Sequence, residues 1–367
     1  MMDNIYQKEA LKLRKEDIST LPGSVGWESP SNIALVKYWG KKDTQKPINP
    51  SLSMTLSHMS TRTEVHYTRT RYERGKRWFS FNGEKNHPFG ARIIGYLEKL
   101  EPFFPFLAHM DLHIVSTNSF PHSAGMASSA SAMSALALCI CSIEQRLRDH
   151  PTGAQEFYRK ASYMARLGSG SAARSVYGPF VEWGDPSKGS DEYAQPLEGQ
   201  VNPALVFLHD SVMITSGEPK KVKSSQGHRR MEKHPYHSAR IQQALDNQQK
   251  IRKALARGDF QMLAEATEEE ALSLHALMLS SRPGFILINQ ATINIIQAIR
   301  DFRDQTGARI TFTLDAGPNV HVIYPTDQKE AIREWMQQTL APYCENGKMI
   351  HDFTGKGPEQ LDLNRND

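Results

Sequence analysis

Residues 121–132 read Pro121-His-Ser-Ala-Gly-Met-Ala-Ser-Ser-Ala-Ser-Ala132. The alternating run before them (Leu112, Ile114, Ser116) predicts a strand, and the apolar run after them (Met133, Leu136, Leu138, Ile140) predicts a helix. The small residues therefore occupy a helix start. The first turn of a helix carries backbone N–H groups without partners, its dipole favours negative charge, and small side chains admit a polyphosphate to the backbone. Ser128 and Ser129 add hydroxyls for phosphate oxygens or a metal. No Gly-x4-Gly-Lys-Ser/Thr is present, so the loop around Gly125 is not of the Walker type. A tightly packed helix start built from Ala and Ser reads the same way.

Working outward, 367 residues suffice for one large domain or two smaller ones. Hydrophobic residues at 39% and charged residues at 23% fit a globular chain, and 44 basic against 40 acidic groups leave +4. That excess is too small to argue for nucleic acid, while a small anionic substrate remains compatible. Cys139, Cys141 and Cys344 show no paired spacing, which indicates neither a disulfide framework nor a zinc site and points to a cytoplasmic compartment. Residues 1–20 are charged throughout and no run reaches membrane-spanning length, so neither export nor a membrane partner is expected. His228, His234 and His237 lack the spacing of a helical metal-ligand pair.

The first third reads as strands: Ile33–Val36, Leu52–Leu56, Thr63–Tyr67 and Trp78–Phe81, the last followed by an Asn82-Gly83 turn. Helices are predicted over 89–105 and 154–167. A Pro/Gly/Asp/Ser-rich stretch between Gly184 and Pro203 marks a loop or domain boundary. Beyond it, Leu205–Ile214 reads as strand, 237–279 as long helical pattern and Thr292–Arg303 as helix. Arg309–Leu314 and Val320–Tyr324 form a hairpin around Asp315-Ala-Gly-Pro-Asn319. The last dozen residues are expected to fray.

Four segments exceed ordinary packing needs. Lys37 ends the apolar stretch Ile33–Val36, where a buried charge needs an anionic partner, although a lysine snorkelling off a strand edge reads alike. Gly168-Ser-Gly-Ser-Ala-Ala-Arg174 joins a helix to a short helix or turn and offers Ser169, Ser171 and a bidentate guanidinium to phosphate or carboxylate. A plain Gly/Ser loop with a surface arginine is the alternative. Asp315 ends a strand, a rigid mount for a catalytic group, yet aspartate is also a common turn former. The basic run Lys220–Lys233 lacks interleaved aromatics and fits a solvated or phosphate-facing segment better than a nucleic-acid site.

In this order the segments resemble the mevalonate diphosphate decarboxylases of the GHMP kinase superfamily. The matching residues are Ser31-Asn-Ile-Ala-Leu-Val-Lys-Tyr-Trp-Gly-Lys-Lys-Asp43 with Ile48-Asn-Pro-Ser-Leu-Ser53, and Asn118-Ser-Phe-Pro-His-Ser-Ala-Gly-Met-Ala-Ser-Ser-Ala130. They continue with Gly168-Ser-Gly-Ser-Ala-Ala-Arg-Ser-Val-Tyr-Gly178, Val181-Glu-Trp183 and Thr313-Leu-Asp-Ala-Gly-Pro-Asn319. The resemblance implies an α+β fold of two domains with the active site in the cleft between them. A ribosomal protein S5 domain 2-like N-terminal domain would take residues 1–200 and a ferredoxin-like C-terminal domain residues 201–367.

The implied reaction uses ATP and Mg2+ to phosphorylate the 3-hydroxyl of mevalonate 5-diphosphate; loss of phosphate and carbon dioxide then leaves isopentenyl diphosphate. By motif position Asp315 would act on the hydroxyl, Arg174 would hold the substrate carboxylate, and Lys37 would sit near the transferring phosphoryl group. Asn32, Tyr38, Lys41, Ser169 and Ser171 would bind substrate. Ser123, Ala124, Gly125, Met126, Ala127, Ser128 and Ser129 would hold ATP, with Ser128 near Mg2+. A homodimer is the expected assembly. His122, Ser123, Leu314, His228 and Lys233-His234 depart from the family's usual residues, His228 standing where Met is usual, and these changes leave open a monophosphate substrate. A kinase of the same superfamily that stops at phosphorylation, and a non-catalytic metabolite-binding paralogue, are the competing readings.

Overall fold

The computed structural model describes residues 5–42, 45–85, 88–120, 128–185, 191–218 and 224–363. Its strands are β1 (Gly23–Val36), β2 (Ser51–Arg69), β3 (Arg77–Phe81), β4 (Glu84–Lys85), β5 (Met110–Asn118), β6 (Phe180–Trp183), β7 (Gln195–Pro196), β8 (Leu208–Met213), β9 (Thr311–Leu314), β10 (Val320–Pro325), β11 (Met349–Phe353) and β12 (Glu359–Gln360). The first sheet runs β12-β1-β2-β5-β3-β4, with β6 on β2 and β7 on β6, and the second runs β11-β8-β10-β9.

The strands expected at Ile33–Val36 and Leu52–Leu56 are the ends of two much longer ones. Pro30 cannot donate to a ladder, and it falls at a register shift between Pro30 and Asn32. A bulge of this kind tolerates a residue that cannot donate to the ladder. The expected Asn82-Gly83 turn is present, with both residues at positive φ (50° and 81°) joining β3 to β4.

The helices are α1 (Ile5–Lys8), α2 (Gly90–Leu100), α3 (Ser128–Leu147), α4 (Ala154–Gly168), α5 (Pro203–Val206), α6 (Ser224–Arg230), α7 (His237–Arg257), α8 (Phe260–Ser280), α9 (Gln290–Thr306) and α10 (Lys329–Thr339), with a 3₁₀ segment at Gly170–Val176. Helix α3 is buried almost throughout from Ala130 to Glu144. Its small residues let it lie directly on the first sheet: Ser134 Oγ meets Ser29 Oγ at 2.5 Å, Ser131 Oγ meets Thr61 Oγ1 at 2.7 Å, and Ser142 Oγ accepts from Trp27 Nε1 at 2.8 Å. The continuous helical pattern over 237–279 divides at Gly258, whose φ of +75° ends α7, and Asp259 then caps α8 by accepting from Met262 N at 3.0 Å.

In the second half the strands follow the chain order β8, β9, β10, β11, with α7, α8 and α9 before the hairpin and α10 after it. The last strand lies beside the first and the third next to that, which is the ferredoxin-like arrangement. A core shared by both halves packs Ile33, Leu35 and Leu52 against Ile251, Leu255 and Leu263. Of the last dozen residues, expected to fray, those up to 363 are described and are held in place, while 364–367 lie outside the described residues. Gln360 and Glu359 pair with Trp27 and Glu28 of β1, and Leu361 N donates to Gly26 O at 2.9 Å. The three cysteines are buried and free, and among the described residues no helix is long and apolar enough to cross a membrane.

Candidate functional site

The ends of β1 and β9 converge. Lys37 follows β1 and is only 2% exposed. Its ammonium donates to Ala34 O at 2.6 Å and pairs with Asp315 Oδ1 at 3.3 Å. Burial pushes the Lys37 ammonium below the ordinary lysine value; Asp315 and then Glu270 oppose this, and Arg174 adds to it. Asp315 follows β9, and its backbone carbonyl accepts from His275 Nε2 at 3.0 Å, so the mount is fixed from α8.

Arg174, also 2% exposed, lies on the inner side of the 3₁₀ segment. Its Nε donates to Ser53 Oγ at 3.0 Å, Nη1 to Ser51 Oγ at 2.9 Å and Nη2 to Asn32 Oδ1 at 3.4 Å. Its guanidinium carbon stands 5.9 Å from the Trp183 ring centroid. Burial brings its pKa down to about 10, with Asp315 and Tyr38 opposing, so it remains a cation at neutral pH. The described hydrogen-bond partners of this guanidinium are neutral, which suits it to an anionic ligand. Asn32 is itself held by donation to Ser175 Oγ at 2.7 Å and Ser171 O at 3.3 Å.

At the start of α3, Ser129 Oγ meets Ser169 Oγ at 3.2 Å, and Ser169 Oγ meets Ser171 Oγ at 3.4 Å. The helix start and the Gly/Ser segment, separate in sequence, thus form one hydroxyl-lined wall. Ser123, Ala124, Gly125, Met126 and Ala127 lie outside the described residues. Tyr38 donates to Gln45 O at 3.0 Å, and Lys41 Nζ donates to Gln45 Oε1 at 2.9 Å. A Cβ on Gly170 would stand 2.7 Å from the Tyr38 ring, so the glycine permits that approach. Burial lowers the Lys41 ammonium's proton affinity, and Arg229 and Lys99 lower it further. This local excess of positive charge also favours an anion.

The described part of the basic run 220–233 turns partly inward. His228 is 9% exposed, wedged between Tyr38 (ring centroids 4.5 Å apart) and Trp39 (4.7 Å), with Nδ1 accepting from Gly40 N at 3.0 Å. That bond places the imidazole proton on Nε2. The neighbouring Gly227 has the Trp39 indole where a Cβ would be. Met231 and His234 are buried as well, while residues 220–223 lie outside the described residues. Sequence reasoning missed Gln45 and His275, noted His228 only as a departure from the family's usual Met, and quoted Ser51, Ser53 and Trp183 without giving them a role. Among the described residues no group of three or more His, Cys, Asp or Glu side chains could hold a metal ion.

Two family models match the chain: the diphosphomevalonate decarboxylase-like N-terminal domain over residues 29–194 and the mevalonate 5-diphosphate decarboxylase C-terminal domain over residues 211–365. The diphosphomevalonate decarboxylase of Candida albicans is 31% identical over 362 residues, covering 90% of this chain and 96% of the relative. The mevalonate diphosphate decarboxylase structure from Staphylococcus aureus superposes with a TM-score of 0.80 at 30% identity, over 93% of this chain and 99% of that one. A structure of MDDEF in complex with MVAPP, AMPPCP and magnesium superposes with a TM-score of 0.79 at 27% identity, over 94% and 100%.

Proposed function

This chain belongs to the diphosphomevalonate decarboxylase family, and from that premise we propose how its own side chains carry the family's reaction. The enzyme converts mevalonate 5-diphosphate and ATP to isopentenyl diphosphate, ADP, phosphate and carbon dioxide. Asp315 takes the proton of the 3-hydroxyl as its oxygen bonds to the γ-phosphorus, when that proton has become acidic. A free aspartate has a pKa of about 4 and is too weak a base to remove it earlier. Lys37, 3.3 Å from Asp315, stabilises the charge spreading over the transferring phosphoryl oxygens. The hydroxyl, now a phosphate ester, departs with the C–O electron pair. The bond to the carboxylate then supplies two electrons to form the double bond, and carbon dioxide leaves.

Arg174 holds the departing carboxylate in line through a guanidinium already braced by Ser51, Ser53 and Asn32. Tyr38, Lys41, Ser169 and Ser171 bind the remainder of the substrate, and Ser128, Ser129 and residues 123–127 bind ATP. Bound with ATP, Mg2+ would neutralise phosphate charge. It usually keeps several waters and takes few protein ligands besides phosphates. The hydroxyl-rich donor set at Ser128 and Ser129 fits an ion held mainly through ATP.

The observation that carries this reading is the meeting of Lys37 and Asp315, 278 residues apart. The test is an assay offering mevalonate, its 5-phosphate and its 5-diphosphate separately, scoring ADP and carbon dioxide. ADP with retention of the carboxylate would leave only a kinase, and turnover of the 5-phosphate alone would reassign the substrate. The reading extends to a domain division near residues 200 and 201, to a homodimer in the cytoplasm, and to no nucleic-acid partner. Sedimentation and cell fractionation check the assembly and the compartment.

A further inference from the structure

Lys37 is gripped by its backbone as well as by its side chain. Its N–H donates to Glu270 Oε2 at 2.8 Å, and its carbonyl accepts from Arg240 Nη2 at 3.1 Å and from Asn49 Nδ2 at 2.9 Å. Arg240, on α7, and Glu270, on α8, are joined to each other: Nη2 to Oε2 at 2.6 Å and Nη1 to Oε1 at 2.7 Å, with side-chain exposures of 1% and 0%. Asn247 Nδ2 completes the Glu270 shell at 3.1 Å. A closed ring therefore runs from the Lys37 amide through Glu270 and Arg240 back to the Lys37 carbonyl.

A strand end needs partners for its backbone groups, but neutral side chains would serve. A fully buried ion pair is a poor choice for stability alone, because the desolvation of both charges offsets much of their attraction. Holding both peptide groups that flank one residue fixes its φ and ψ, and with them the direction in which its side chain leaves the chain.

We propose that Arg240 and Glu270 are positioning residues for Lys37, by which two helices of the second half lock the β1 end in the orientation that aims the ammonium at Asp315. The proposal rests on the reading that Lys37 acts at the transferring phosphoryl group. Lys37 is faced by Asp315 after β9, Glu270 on α8, Arg240 on α7 and Arg174 on the 3₁₀ segment. Of these, Asp315 and Glu270 favour its charged form. Removing the Glu270 charge therefore leaves Lys37 easier to deprotonate.

The experiment uses the full-length protein with Glu270→Gln, which keeps an acceptor for the Lys37 amide, and the double variant Arg240→Met with Glu270→Leu, which removes the pair while keeping its volume. Thermal unfolding identifies folded variants. The Cε resonance of Lys37 in carbon-13 lysine-enriched protein, assigned with Lys37→Arg and followed by NMR across pH, reads its ionisation without turnover and without a reagent having to reach a residue that is 2% exposed. In Glu270→Gln the titration midpoint and the alkaline limb of the kcat profile should both move down by about one pH unit. In the double variant kcat should fall about tenfold or more, with KM changed less than about twofold. An unchanged midpoint in both folded variants overturns the proposal. A midpoint that shifts while kcat and its profile stay put in both variants would instead remove Lys37 from the reaction and leave the hold on Lys37 standing.

Discussion

At Asp315 the backbone is held by His275 and the carboxylate by Lys37, so an amide of the same shape would sit in the same place but could neither accept a proton nor supply the charge that favours the Lys37 ammonium. Asp315→Asn is therefore expected to lower kcat by about 10³-fold while calorimetry shows ATP binding unchanged. Turnover within tenfold of the parent would count against Asp315 as the base. Lys37, Arg174 and Asp315 stood out in the sequence because each stands at the end of an apolar or small-residue element, but each also read as an ordinary packing or turn residue, and the family resemblance supplied the roles proposed for them. Ser51 and Ser53 did not stand out, since hydroxyls alternating on a strand look like any half-exposed edge, and only the fold turns them onto Arg174. The buried place of His228 was hidden by its basic neighbours, which made the segment read as solvated or phosphate-facing. Burial, with Lys41 and Arg174 adding, pushes its pKa down to about 3 from 6.5. The unfolded chain thus takes up a proton between pH 6.5 and 3 that the folded chain refuses, so the stability is present above pH 6.5 and is lost as pH falls through that window. Near pH 4 the loss from this group is on the order of 3 kcal/mol. His228→Met should make the fall in urea midpoint between pH 7 and pH 4 shallower, and an equally steep fall in both proteins would mean that other groups govern the acid limb.

Among the elements, those with strong periodicity or clear punctuation were readable: α4, α9, the hairpin of β9 and β10, and the Asn82-Gly83 turn. The full length of β1 was not, because Pro30 cannot donate to a ladder and its bulge is seen only in the fold. Neither was β12, whose residues Glu359 and Gln360 carry no apolar alternation and are recruited through main-chain bonds. Strand β11 was also missed, and it carries a carboxylate that ties the two sheets together. Asp352 Oδ1 accepts from Ser57 N at 3.0 Å and His58 N at 2.8 Å, and Oδ2 accepts from Met59 N at 2.6 Å. Those three amides belong to β2, and Asp352 is 1% exposed. Asp352→Ala would leave several amides without their acceptor in a confined place, at about 1–3 kcal/mol for each one that water cannot reach. The expected result is a loss of about 3 kcal/mol or more in denaturant unfolding. A loss below 1 kcal/mol would show that water replaces the carboxylate and that the sheets are held by the shared apolar core alone.

For the whole molecule, the chain's return to its first sheet separates stability from chemistry. After β11 the backbone passes Thr55, where Gly355 N donates to Thr55 O at 2.8 Å, and then lays β12 along the outer edge of β1. Leu361 and Leu363 lean on Gly26, where a Cβ would stand 3.1 Å from a methyl carbon of each. The pairing covers residues 27 and 28 of β1, about nine residues from Lys37, or roughly 30 Å at about 3.3 Å per residue. Ending the chain after Pro358 would remove β12 and the two leucines, uncovering the β1 edge at Gly26 without touching the Lys37–Asp315 pair. Partial burial of two leucines is worth about 2–3 kcal/mol, and an unpaired edge invites association between chains. The truncated protein should unfold at a lower temperature and aggregate sooner on warming, while kcat and KM at 20 °C, per folded molecule, stay within about twofold of the parent, a factor worth only about 0.4 kcal/mol. If kcat falls in step with stability, strain at the far end of β1 reaches Lys37, and the strand works as a lever linking the tail to the site.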